Sequence, residues 1–231
     1  MAREIIRARN FGPLAAQLIL DCAHEALGDF GHCRIGLSGG NTPRSVYSEL
    51  ARRSKELQWD KVTFTFGDER CVPPGDPESN YKMARESLFQ PGGVPDKSVI
   101  RMRGEIDPQL AAQEYEDSLA VLATQHQELT YRHDVLLLGV GDDGHTASLF
   151  PGTSALEETS RSVVANFVAR MDAWRITFTL PLINQARKII FLAKADKNLA
   201  LLDAIMGGDT KYPAARVAPV NGQLTWLLAE S

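Results

Sequence analysis

Residues 136–152 read LLLGVGDDGHTASLFPG. One histidine, His145, stands among three glycines and two adjacent aspartates, Asp142 and Asp143, directly after an aliphatic run. Histidine titrates near neutrality and can take a proton from water or a hydroxyl, and a neighbouring carboxylate can hold its ring. Glycines let a ligand approach the backbone closely. Together these residue types describe a general base, although a histidine beside glycines is by itself more often a cap or a packing residue. A metal reading is weaker, because no second histidine lies at ligand spacing. No metal and no cofactor are expected.

A second group of chemical residues is Ser38-Gly39-Gly40-Asn41-Thr42, followed by Pro43. Two glycines permit a sharp turn, and the free N–H groups of a helix start attract an anion. Thr42 is expected to cap that helix, with Pro43 at its first position. The spacing fits neither the dinucleotide nor the P-loop pattern, so a monophosphate is the expected guest. A third group, Asp68-Glu69-Arg70, ends the run VTFTFGDER. There a carboxylate can orient a histidine or a sugar hydroxyl, and an arginine can meet a ligand's charge. Further cations follow at Arg175, Lys194, Lys197 and Arg216, of which Arg175 and Arg216 are favoured as phosphate partners.

These groups need elements to position them. Short β-branched or aliphatic runs at 34–37, 62–66, 135–138, 175–180 and 188–193 alternate with stretches of helical period at 14–27, 43–53, 80–89, 108–127 and 197–206. That alternation predicts an α/β fold with a mostly parallel sheet flanked by helices. In such sheets ligands gather at the carboxyl ends of the strands, where all three groups would lie. Residues 139–144 are read as a flexible loop and 146–150 as the start of a short helix. His145 would then sit at a helix N-terminus, which disfavours imidazolium and leaves the ring able to accept a proton.

Composition agrees with an ordinary globular chain: 231 residues, 44% hydrophobic and 23% charged, with no repeat or long linker. One domain over residues 1–231 is expected. The net charge of -4 and the lack of a Lys/Arg-rich block exclude the electrostatic footprint of a nucleic-acid binder. No apolar run reaches membrane-spanning length, and the first residues do not resemble a signal peptide. Three cysteines without CxxC spacing suit a reducing compartment, so a cytoplasmic setting is expected; the chain is also expected to be a monomer.

The segments LSGGNTP, FGDERCVP, SNY, LLLGVGDDGHTASLFPGT, RITFTLPLINQA and PAARV, in this order, resemble the 6-phosphogluconolactonases. That family lies within the wider group that also holds glucosamine-6-phosphate isomerase/deaminase. The resemblance implies a Rossmann-like sheet and hydrolysis of 6-phosphogluconolactone in the pentose phosphate pathway, without metal or organic cofactor. It also implies phosphate binding by Gly39, Gly40, Asn41 and Thr42 with Arg175 and Arg216, His145 as base, and Asp68 and Arg70 lining the sugar end. The isomerase/deaminase branch carries a glutamate five residues after the histidine, where this sequence has Phe150. Two alternatives stay in view: that isomerase/deaminase, and a regulator that binds sugar phosphate without chemistry. Which aspartate orients His145 is open at this stage.

Overall fold

The computed structural model describes residues 3–195 and 199–230. Six parallel strands form the central sheet, in the order β1 (Arg3–Ala8), β9 (Gln223–Ala229), β8 (Lys188–Lys194), β5 (Val135–Leu138), β2 (Cys33–Leu37) and β3 (Val62–Phe66). A smaller antiparallel sheet pairs β4 (Asp68–Arg70) with β7 (Ala173–Phe178) and β7 with β6 (Val163–Val168).

The aliphatic run of β5 lacks alternation because both of its faces are covered. Val135 and Leu137 pack with helices α1 (Phe11–Phe30) and α2 (Asn41–Arg52), together with α3 (Asn80–Ala84). Leu136 and Leu138 face the opposite layer, built from α4 (Pro108–Gln125), α5 (Leu180–Ile183), α6 (Leu199–Met206) and the inner faces of β6 and β7. In that layer the rings of Phe191 and Trp226, on neighbouring strands, stack at 4.0 Å. The expected parallel sheet flanked by helices is therefore the fold found.

Its limits differ from expectation in places. The strand expected at 175–180 runs from Ala173 to Phe178, because Leu180 opens α5 with Pro181 in its first turn. The helix expected at 80–89 is α3 followed by a wider π-type turn over Arg85–Phe89. The helix expected at 197–206 is seen from Leu199, and Lys197 lies outside the described residues. Residues 146–150 form no helix. Thr146 and Leu149 bridge across a tight turn in which Ala147 has φ 48°, and Pro151 disfavours the helical region at Phe150.

His133 leads into β5 from inside the core. It is fully buried, its Nε2 lies 2.8 Å from Thr65 Oγ1, and its ring packs 5.1 Å from that of Phe178. Burial, aided by the charge of Arg34, pushes its pKa down to about 3. The unfolded chain, with an ordinary value near 6.5, binds that proton first. The stability this group contributes is thus complete above about pH 6.5 and is lost as pH falls toward about 3, by up to about 1.4 kcal/mol per unit. Glu69 and Asp134, raised by burial, act with the opposite sign. Urea unfolding as a function of pH should therefore be less acid-sensitive in His133→Gln than in wild type. Equal slopes would contradict this account.

Candidate active site

β3 lies on one side of β2 and β5 on the other, so the chain changes direction across the sheet between β2 and β5. Loops leaving two such strands diverge and open a crevice at their carboxyl ends. Here the crevice has two joined lobes. One, of about 190 Å³, is lined by Ser38, Gly39, Gly40, Asp68, Arg70, Gly139, Val140, Gly141, His145 and Ala147. The other, of about 270 Å³, shares the glycines and adds Asn41, Thr42, Pro43, Asp142, Leu192, Ala193, Lys194, Leu201 and Leu202.

His145 is gripped on three sides. Its Nδ1 lies 2.5 Å from Asp143 Oδ1, and its own amide donates to the same oxygen at 3.2 Å. Its backbone carbonyl accepts the Gly141 amide at 2.9 Å, which brings the ring onto the bare Cα of Gly141. On another side the Phe150 ring lies 4.2 Å away, centroid to centroid. Nε2 has no hydrogen-bond partner among the described residues, so it is the nitrogen left for a ligand. Asp143 is thus the carboxylate that orients the histidine. Burial alone would raise its pKa, but the hydrogen bonds from His145 and the nearby Arg170 hold it below the ordinary carboxylate value. The expectation that a helix N-terminus acts on His145 is corrected. No helix begins there, and the local partner is an anion rather than a helix dipole.

Asp68 does not touch His145. It is 8% exposed, receives Ser148 Oγ at 2.7 Å on one oxygen and Asn80 Nδ2 at 3.1 Å on the other, and so ties three loops together at the crevice wall. Glu69 points away from the crevice into a pocket of donors: the amides of Arg70, Asn80 and Tyr81 and the hydroxyl of Ser79. Burial raises its pKa despite these bonds. Glu69→Ala would leave one buried amide, Asn80, and two part-buried ones, Arg70 and Tyr81, without this acceptor and should cost roughly 1–3 kcal/mol in urea unfolding, since an orphaned buried donor carries its own desolvation penalty.

The anion cradle is corrected in detail. α2 begins at Asn41, not at Pro43, and its N-cap is Gly40, whose φ of 103° suits glycine; Thr42 does not cap. The preceding turn is pinned by the buried Tyr47, whose hydroxyl accepts from the Ser38 amide at 2.9 Å and donates to the Ser38 carbonyl at 2.8 Å. Asn80 lies so close over Gly39 that a Cβ there would sit 2.0 Å from Asn80 Oδ1.

The cations separate. Arg70 lines the His145 lobe, with one guanidinium nitrogen on the Glu78 carbonyl at 2.6 Å. Arg175 is its register partner on β7, has no carboxylate partner among the described residues, and lines neither lobe. Burial and the nearby Arg70 lower its pKa. Arg216 also lines neither lobe and is paired with Glu157 at 2.7 Å. Lys194, by contrast, lines the lobe that contains the start of α2. Among the described residues no cluster of three or more His, Cys, Asp or Glu side chains could hold a metal ion.

A family profile described as glucosamine-6-phosphate isomerases/6-phosphogluconolactonase matches residues 8–226. The chain belongs to this family. A relative named 6-phosphogluconolactonase from Synechocystis is 41% identical over 209 residues, covering 88% of this chain and 85% of its own. Another of the same name from Haemophilus influenzae is 34% identical, covering 84% and 83%. Among solved structures, the 6-phosphogluconolactonase from Trypanosoma cruzi superposes with a TM-score of 0.85 at 29% identity, covering 99% of this chain and 96% of that one. Within the family frame, the sequence reading missed Ser148, Asn80 and Arg170. The first two lie inside segments already singled out by their resemblance, TASLF and SNY, but nothing local marks their partners. Arg170 lies outside every such segment.

Proposed function

We propose that the chain hydrolyses 6-phospho-D-glucono-1,5-lactone to 6-phosphogluconate, with His145 as general base. The observation that carries this reading is the Asp143–His145 pair, whose free Nε2 belongs to a crevice that also holds a helix start and a cation. The phosphate rests on Gly39, Gly40, Asn41 and Thr42. The cation sharing that lobe is Lys194, while Arg175 beside Arg70 adds positive charge at the rim and Arg216 is engaged elsewhere. His145 Nε2 takes a proton from water as the water oxygen attacks the lactone carbonyl. The amides of Gly141, Gly144 and His145 are already committed within the loop, which leaves Arg70 and the other amides of the 139–145 loop as donors for the resulting oxyanion. Collapse breaks the bond from C1 to the ring oxygen, and the imidazolium returns its proton to that oxygen. All these groups come from one chain, so a monomer of one domain suffices, and its proposed setting is the cytoplasm. No helix among the described residues is long and apolar enough to cross a membrane.

Phe150 separates this reading from deamination of an amino sugar phosphate. It is 4% exposed and offers no carboxylate next to His145. The deciding experiment follows proton release from freshly made lactone, with the spontaneous rate subtracted, beside ammonia release from glucosamine 6-phosphate and calorimetric binding of 6-phosphogluconate. Accelerated lactone hydrolysis without ammonia supports the proposal. Ammonia release, or tight binding without turnover, would replace it with one of the two alternatives.

A further inference from the structure

Asp143 orients His145, and Arg170 is what holds Asp143. Arg170 Nη2 lies 2.6 Å from Asp143 Oδ2, an ion contact on the oxygen that His145 does not use. The same guanidinium sits 4.7 Å above the Phe150 ring, and that ring packs on the imidazole. One side chain thus reaches His145 by two routes, through the carboxylate on its Nδ1 edge and through the aromatic ring on its face. Arg170 comes from the turn between β6 and β7, which is closed by the Asp172 amide on the Ala169 carbonyl. The two strands are also tied to the His145 loop, by Thr177 Oγ1 on the Ser148 amide and by Asn166 Nδ2 on the Ser148 carbonyl. The arginine is half exposed and has no other carboxylate partner among the described residues.

We propose that Arg170 is a positioning residue for the reaction: it fixes the Asp143 carboxylate and, through Phe150, the face of the His145 ring. The inference rests on His145 acting as the base. Arg170 also places a positive charge next to the Asp143–His145 pair. The other charges around the pair are Asp68 and Arg70 on the same lobe, Arg175 beside Arg70, and Asp142 next in the chain. None of them contacts Asp143.

The test measures lactone hydrolysis from about pH 5 to about pH 8, where a histidine base titrates, together with thermal midpoints. The proteins are wild type, Arg170→Met, Arg170→Lys, Asp143→Asn, the double variant Asp143→Asn/Arg170→Met, and His145→Ala. Arg170→Met should lower kcat roughly 3- to 5-fold with KM little changed. Arg170→Lys should recover only part of kcat, since it retains the charge beside Asp143 but loses the flat guanidinium over the Phe150 ring. In the Asp143→Asn background Arg170→Met should cost less than in wild type, keeping only the share that acts through Phe150. If Arg170→Met matches wild type in rate and profile while His145→Ala is inactive, the inference falls and the base assignment stands. An equal loss in both backgrounds with a lowered thermal midpoint also overturns it. If His145→Ala turns over at the wild-type rate, the base assignment fails and the inference with it.

Discussion

His145→Ala should lower kcat for lactone hydrolysis by roughly 10²- to 10⁴-fold, the contribution typical of a positioned general base. KM should change little, because the proposed phosphate cradle at Gly39–Thr42 belongs to the loop after β2, and Tyr47 and Asn80, which hold that loop, do not involve His145. The fold should survive as well. The loop around His145 is anchored separately by Ser148 on Asp68 and Thr177, and by Asn166 on the Ser148 carbonyl. The truncation also opens space between Gly141 and Phe150, so added imidazole should restore part of the rate. Turnover at the wild-type level without imidazole would remove His145 from the chemistry, and a rise in KM with kcat unchanged would make it a binding residue instead.

The parts of this site that were legible in the sequence are those carried by short contiguous segments. The Gly-Gly turn before a helix, the aliphatic strand ending at Leu138 and the Asp-Gly-His run each announce their chemistry within a few residues, because backbone geometry and residue type are local properties. Pairings across the fold were not legible. Asp68 with Ser148 and Asp143 with Arg170 join segments 80 and 27 residues apart, and nothing in either segment names its partner. The edge strand β1 was missed for a related reason, since its residues alternate only weakly between exposed and covered sides. β9 was missed because Gln223 and Thr225 interrupt its apolar residues, so it shows neither the unbroken run that marked β5 nor a clean alternation. The helix expected after His145 failed on backbone grounds that were present but unweighted: Pro151 disfavours the helical region at Phe150, and too few residues remain for a turn of helix.

Gly141→Ala should come close to the effect of removing His145 while leaving the histidine in place. A Cβ on Gly141 would stand 1.9 Å from His145 Cε1 and 2.1 Å from Nδ1, well inside contact distance, so the ring must move. It has no easy retreat. Phe150 backs it at 4.2 Å, and Asp143 holds its Nδ1 edge. The backbone at Gly141 is not in the left-handed region, so alanine itself introduces no local strain, in contrast to Gly144, where φ is 78° and a Cβ would strike Tyr212. The expected loss is therefore in position rather than in folding: kcat should fall about 10²-fold, as a displacement of about 1 Å in a catalytic group does. The thermal midpoint should stay near that of wild type. Imidazole should not rescue this variant, because the ring still occupies the slot that the added base would need. A Gly141→Ala protein with wild-type kcat would mean that the ring acts from some other place than the slot between Gly141 and Phe150. The Asp143 and Arg170 contacts would then lose their catalytic meaning with it.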